Sequence, residues 1–285
     1  MIHTRRTLSR DTLWLIVWLS GIAALAVWDT LFLNRPALKL LIGGFVNTFC
    51  VALMVIVVTL ALGWATTILL HSLEKRKSRI GYLIATFVLN LVRSVPQVVG
   101  ILIGYVWIAF MIQDGTLRNQ FAVFTVMACC MSLFIFLELV DLMRERILHY
   151  QRLDFYNALL VCGVSERRIV NFDILWKNSR IHIFNKLISI FGMAVFLQCS
   201  IDFVISVGLS TDVSSVNLPP TLGSLLANID SKQDILAIGY TLTHPGYVGN
   251  LFMGHLQGIS IAFVIVFTLL SVYQVANGYA ERHRL

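Results

Sequence analysis

An all-α membrane bundle of about six transmembrane helices is the fold class that this sequence predicts. Three observations carry it. Apolar runs of 20 residues or more recur from end to end. Of the 285 residues, 58% are hydrophobic and only 13% charged, against about 25% charged in soluble domains. The basic residues, finally, gather in alternate connecting segments. No polar stretch is long enough to build a separate soluble domain, so one membrane domain is expected.

The first span runs from about Leu13 to Leu33, with Asp29 late in it. The N-terminal stretch before it has the basic flank of a signal sequence but no small-residue cleavage site after the apolar run, and it reads as a retained span. Residues 1–37 form this N-terminal tail and first helix; 38–285 form the core. The apolar stretch Leu40–Leu70 is too long for one perpendicular crossing, about 46 Å against a core of about 30 Å. Gly43 and Gly44 are expected to separate a short interfacial piece from a span starting near Asn47. The basic loop 71–79 follows.

Residues 80–112 are again overlong, and Arg93 and Pro96 divide them. An amphipathic lead-in and a proline kink entering a span near 94–112 are expected. The fourth span, about 121–140, runs on into polar sequence. After a segment at 151–180 comes the fifth span, about 187–209. An outer loop at 210–248, with Pro219 and Pro220, precedes the last span at about 250–274. That loop meets an extracytoplasmic protein, folds over the outer mouth, or forms a lid on its own subunit.

The positive-inside rule orients this layout. Arg5, Arg6 and Arg10, Lys75, Arg76, Lys77 and Arg79, the many basic residues of 141–186, and Arg282 and Arg284 fall on one side. Only Arg35, Lys39, Arg118 and Lys232 fall on the other. Both termini are therefore expected in the cytoplasm. The net charge of +7 sits beside apolar spans rather than on one amphipathic face, so it reads as loops near an anionic leaflet and not as a nucleic-acid interface. Cys50, Cys129, Cys130, Cys162 and Cys199 lie in or beside apolar segments, as small packing residues do; no disulfide framework or metal-ligand spacing is visible.

The informative segment lies between the fourth and fifth spans. Phe155, Ala158, Leu159 and Cys162 fall at i, i+3, i+4 and i+7, which makes one apolar face on a short helix over 154–162. Gly163 suits a left-handed stop. Ser165 can cap a second helix with Glu166 near its positive end, and Ile169, Phe172 and Trp176 continue the stripe. The expected result is a helix–turn–helix knob edged by Glu166, Arg167 and Arg168. Such a knob can seat in the groove of a soluble partner or lie on lipid headgroups.

This segment resembles the EAA loop of binding-protein-dependent ABC importer permeases. Ala158 and Gly163 stand at the family spacing, and Ile174 and Leu175 follow at the expected interval. Asn157, Leu159 and Trp176 replace the usual Glu, Ala and Pro. NTFCVALMVIVVTLALGWATTILL is similar to the family's first core helix, and LVRSVPQVVGIL to the kink after it. FLQCSIDFVISVGL followed by LPPTLGSLLANI is similar to the C-type subunit of dipeptide, oligopeptide and nickel permeases. The resemblance covers roughly 38–275; the signature usual before the first core helix is absent, and Gln198 stands where an acid is common.

What the resemblance implies is a type I ABC importer permease in a bacterial inner membrane. Phe155, Tyr156, Asn157, Ala158, Leu159, Gly163, Val164, Ser165, Glu166, Arg167, Arg168 and Ile169 would contact an ATPase, within a cytoplasmic coupling loop at 141–180. The partners implied are a second, B-type permease subunit, two ATPase subunits and an extracytoplasmic substrate-binding protein. The chain has no GxxxxGK[ST] loop, so ATP and Mg are expected on the ATPases and no cofactor on this chain. Peptides or related small solutes are the expected cargo.

A charge at a helix centre costs about 2.5–3.5 kcal/mol. Asp29, Glu138 and Lys186 are expected to reach the interface. Arg93, with Pro96 and Gln97, and Gln198 with Asp202 one turn on, can line a path, or pair with headgroups and neighbouring chains. A secondary transporter driven by an ion gradient is the alternative class; it favours inverted repeats and midplane acids. No repeat is visible, and only Asp202 resembles such an acid. No HExxH or GxSxG motif points to an enzyme.

Overall fold

The structure, a computed structural model, describes residues 10–75, 79–208, 218–228, 231–254 and 256–282. Arg5, Arg6, Arg76, Lys77, Arg284 and the outer-loop residues 209–217 lie outside them. The described residues are almost all helical, with no strand among them. Five helices are long and apolar enough to cross a membrane: α1 (Arg10–Phe32), α2 (Arg35–Lys75), α5 (Gln120–Gln151), α8 (Arg180–Gly208) and α12 (Leu256–Arg282). The broken pair α3 (Arg79–Ser94) and α4 (Gln97–Gln113), bent by 88°, brings the number to six if it is counted as one span. The break falls at Pro96, which has no N–H to give and disfavours helix at the residue before it.

At the bundle centre α2 packs on α5. The buried face of α2 carries Gly44, Thr48, Ala52, Thr59, Gly63 and Thr67. This is a stripe of small residues at helical spacing, while Leu53, Val57 and Leu69 are exposed on its outer face. Lipid is as apolar as leucine, so helices in it associate through small residues that let backbones approach. A Cβ on Gly63 would lie 3.0 Å from Leu139 Cδ2 on α5. Thr67 Oγ1 returns its hydroxyl to its own helix, donating to Gly63 O at 2.7 Å.

No break occurs at Gly43–Gly44. Helix α2 is continuous over 41 residues, about 60 Å, and extends past a bilayer core of about 30 Å. Helical glycines keep their backbone bonds, and Gly44 serves another purpose. A Cβ there would meet Leu225 Cδ1 at 2.6 Å and Thr221 C at 3.3 Å, so its absence admits the segment around α9 (Leu222–Asn228). That segment also touches α8 and α12. Part of the expected outer loop is thus an inserted wedge.

Helix α3 buries Tyr82, Ala85, Leu89 and Val92 against Leu70, Phe136, Leu137 and Val140. Its other face, with Leu83, Ile84 and Phe87, is exposed and apolar, as the lipid-facing side of an amphipathic lead-in is. Helix α1 lies along α12. Asp29, expected to reach the interface, is instead only 1% exposed and accepts a 2.7 Å hydrogen bond from Ser260 Oγ on α12. At the other end of this pair Arg10 bonds Glu281 and Gln274, and Arg282 bonds Asp11. Beyond the wedge lie α10 (Ser231–Thr243), a short 3₁₀ turn at Pro245–Tyr247 and α11 (Val248–Gly254), with Leu236, Leu242 and Met253 exposed.

Candidate functional site

The knob begins where α5 ends. Helix α6 (Asp154–Val161) is followed by Gly163 at φ +77°, a left-handed conformation that glycine adopts without Cβ strain. The Gly163 N–H bonds Leu160 O and the Val164 N–H bonds Leu159 O, closing the helix end. A single turn, α7 (Glu166–Arg168), then opens into ten residues of wider, i→i+5 helix at Ile169–Asn178.

Those wide turns move the apolar face. With five residues between hydrogen-bonded groups, Ile169 and Val170 stack over Ile174 and Leu175, and all four are fully buried. Phe172 and Trp176, placed beside Ile169 by the ordinary helical period, are exposed. Ser165 occupies the cap position, but its side chain makes no cap bond; its carbonyl accepts from the Arg168 and Ile169 N–H groups.

The expected coupling residues separate into two groups. Tyr156 and Ile169 are buried and anchor the knob. Glu166 also turns inward: it forms an ion pair with Lys75 and a 3.1 Å contact with His71, both on the end of α2. Phe155, Asn157, Ala158, Gly163, Ser165, Arg167 and Arg168 are exposed, and Leu159 and Val164 half-buried. Of the stripe, Phe155, Ala158 and Cys162 face outward, while Leu159 packs against the core. Leu160 and Val161 were missed by the spacing argument, yet Val161 at 88% is the most exposed large apolar side chain among the described residues. Beside the knob a cavity of about 550 Å³ is lined by Ile68, His71, Lys75, Glu166 and Arg167. Trp64 Nε1 donates to Asn171 Oδ1 at 2.6 Å, tying α2 to the wide-turn helix.

The expected path residues do not form one site. Arg93 donates to both carboxylate oxygens of Asp141 on α5, at 2.7 and 2.9 Å. Pro96 makes the α3–α4 bend. Gln97 Nε2 reaches Phe134 O and Glu138 Oε1, and Lys186 Nζ donates to Glu138 Oε2 at 2.7 Å. Glu138 and Lys186, expected to reach the interface separately, therefore neutralise each other between α5 and α8. No sequence motif announces this pair; only opposite charges at matching depth on two spans could have suggested it.

Gln198 lies about 18 Å further along α8 than Lys186 and is fully buried, with no partner for either amide atom. Asp202 is 5% exposed and accepts a 2.6 Å hydrogen bond from Thr221 Oγ1. Asp202 thus faces the inserted wedge. Thr48 Oγ1 accepts from the Leu222 N–H at 3.0 Å, and Asn47 Nδ2 donates to Pro220 O at 2.8 Å. The wedge is thus pinned on both sides by polar bonds that no local pattern reveals. Neither a comparison with known protein families nor one with curated proteins returns a match to this chain.

Proposed function

We propose that this chain is the permease subunit of an ATP-driven importer. It forms half of the substrate path with a second permease subunit and takes its energy from two separate ATPases through the knob at 154–178. Peptides or related small solutes are the cargo, delivered by an extracytoplasmic binding protein. The membrane is the bacterial inner membrane, with the knob and both termini on the cytoplasmic side by the distribution of Lys and Arg.

One observation carries the reading: the tip of α6 presents Phe155, Leu160 and Val161 outward, while the base of the knob is rooted in the core through Tyr156, Ile169, Val170, Ile174 and Leu175. An exposed apolar helix tip beside a glycine turn fits a groove in a soluble partner. Its base joins α5 directly and α2 through Glu166, Lys75 and His71. A force on the tip is therefore passed to the two central helices.

The test is co-purification. The tagged chain, drawn from its native membranes in mild detergent, should retain a protein carrying a GxxxxGK[ST] loop, and Val161→Asp should release it. Retention of no such protein, or equal retention by the variant, contradicts the reading.

A further inference from the structure

Between α1, α2, α8 and α12 lies a groove of about 590 Å³, and its walls are almost wholly apolar. Helices α1, α8 and α12 contribute the parts nearest the end that holds the knob, and α2 contributes its middle, Phe49, Leu53 and Ile56. Residues 11–18 of α1, 184–191 of α8 and 271–279 of α12 line it. Those stretches are about 10–12 Å long, within one leaflet of a core about 30 Å thick. The deep end is closed by rings: Trp18 lies 5.9 Å from Phe49, and Phe49 lies 5.3 Å from Phe191.

This shape selects its occupant. A helix of a second subunit would cross the whole bilayer and is about 10–12 Å wide, but the groove stops at mid-depth. An object entering from one interface and ending halfway fits it, as a lipid acyl chain does. The charges at the mouth agree. Arg180 is exposed and stands one turn before Phe184, on the α8 face that continues through Ile188 to Phe191. Asp11 is held by Arg282, and Glu281 by Arg10. With Arg180 added, cations outnumber acids among these described residues.

We propose that this groove binds one acyl chain of an anionic phospholipid of the cytoplasmic leaflet, with Arg180 taking the headgroup phosphate. A guanidinium and a phosphate match in charge and in paired hydrogen bonds. The proposal rests on the orientation proposed above.

The experiment is native mass spectrometry of the full chain, with whatever subunits it retains, titrated with phosphatidylglycerol and phosphatidylethanolamine of matched chains. Phosphatidylglycerol should be retained more strongly. Ile188→Trp, which fills the groove, should lower that retention roughly tenfold, whereas Ile188→Ala should keep it. Arg180→Gln should remove the headgroup preference and leave a residual adduct. Wild-type retention in Ile188→Trp, or an unchanged preference in Arg180→Gln, overturns the site, as does a photo-crosslinker at Leu187 that captures protein instead of lipid. Reaction of Cys162 with a membrane-impermeant maleimide reports orientation separately. Lost adducts with Cys162 reactive only from the cytoplasmic side sink the lipid site alone; reactivity from the opposite side sinks the orientation itself.

Discussion

Replacing Gly223 with alanine should dislodge the wedge between α2 and α8. A Cβ at this position would stand 2.3 Å from the carbonyl oxygen of Cys199, 2.7 Å from its Cα and 2.8 Å from its carbonyl carbon. All three are backbone atoms of a long helix, so no side chain can swing aside. Overpacking of this kind costs about 1–3 kcal/mol. If the wedge lifts to relieve it, Thr221 leaves Asp202, and a buried carboxyl without its donor adds about 1–3 kcal/mol. The two responses compete, so the expected loss is the smaller of the two, about 1–3 kcal/mol. Thermal unfolding of the purified protein in detergent should show a midpoint lower by about 2–10 °C. Cys199, buried under Gly223, should become reactive to a small thiol reagent, located by mass spectrometry. A wild-type midpoint with Cys199 still protected would refute this account of the wedge.

Three further outcomes follow from the polar contacts. Thr221→Val keeps the shape of the wedge but removes the hydroxyl on Asp202, and should cost about 1–3 kcal/mol in the same unfolding assay. Glu138→Gln and Lys186→Met should each destabilise, while the double variant should lose less than their sum; the shortfall reports about 1 kcal/mol of coupling across this half-exposed pair. Glu166→Gln should loosen the knob from the end of α2, seen as faster amide hydrogen exchange over 154–168, and added salt should narrow the difference from wild type.

The spans were legible because about 20 apolar residues in sequence have one common use, and the Pro96 bend because proline leaves the preceding turn no alternative. The Gly163 stop was legible for the same local reason. What escaped the sequence depends on partners distant along the chain. Gly43 and Gly44 resemble a break, yet Gly44 makes room for Leu225, some 180 residues later in the sequence. Asp29 sits near a span end but meets Ser260. The stripe through Phe172 and Trp176 fails because the helix widens after Arg168, a change of period that composition does not encode. Glu166 reads as a surface acid until the end of α2, with Lys75 and His71, is brought beside it. Local chemistry thus located the knob and its turn, whereas the division of its residues between anchor and tip required the tertiary contacts.

The most direct measurement places a photo-crosslinking amino acid at Val161 in native membranes, with the exposed Phe87 on α3 as a lipid-facing control. Coupling through the knob predicts that the Val161 product contains a protein with a phosphate-binding GxxxxGK[ST] loop, and that Phe87 yields none. Lipid alone at both positions, in a preparation that still transports, would contradict it.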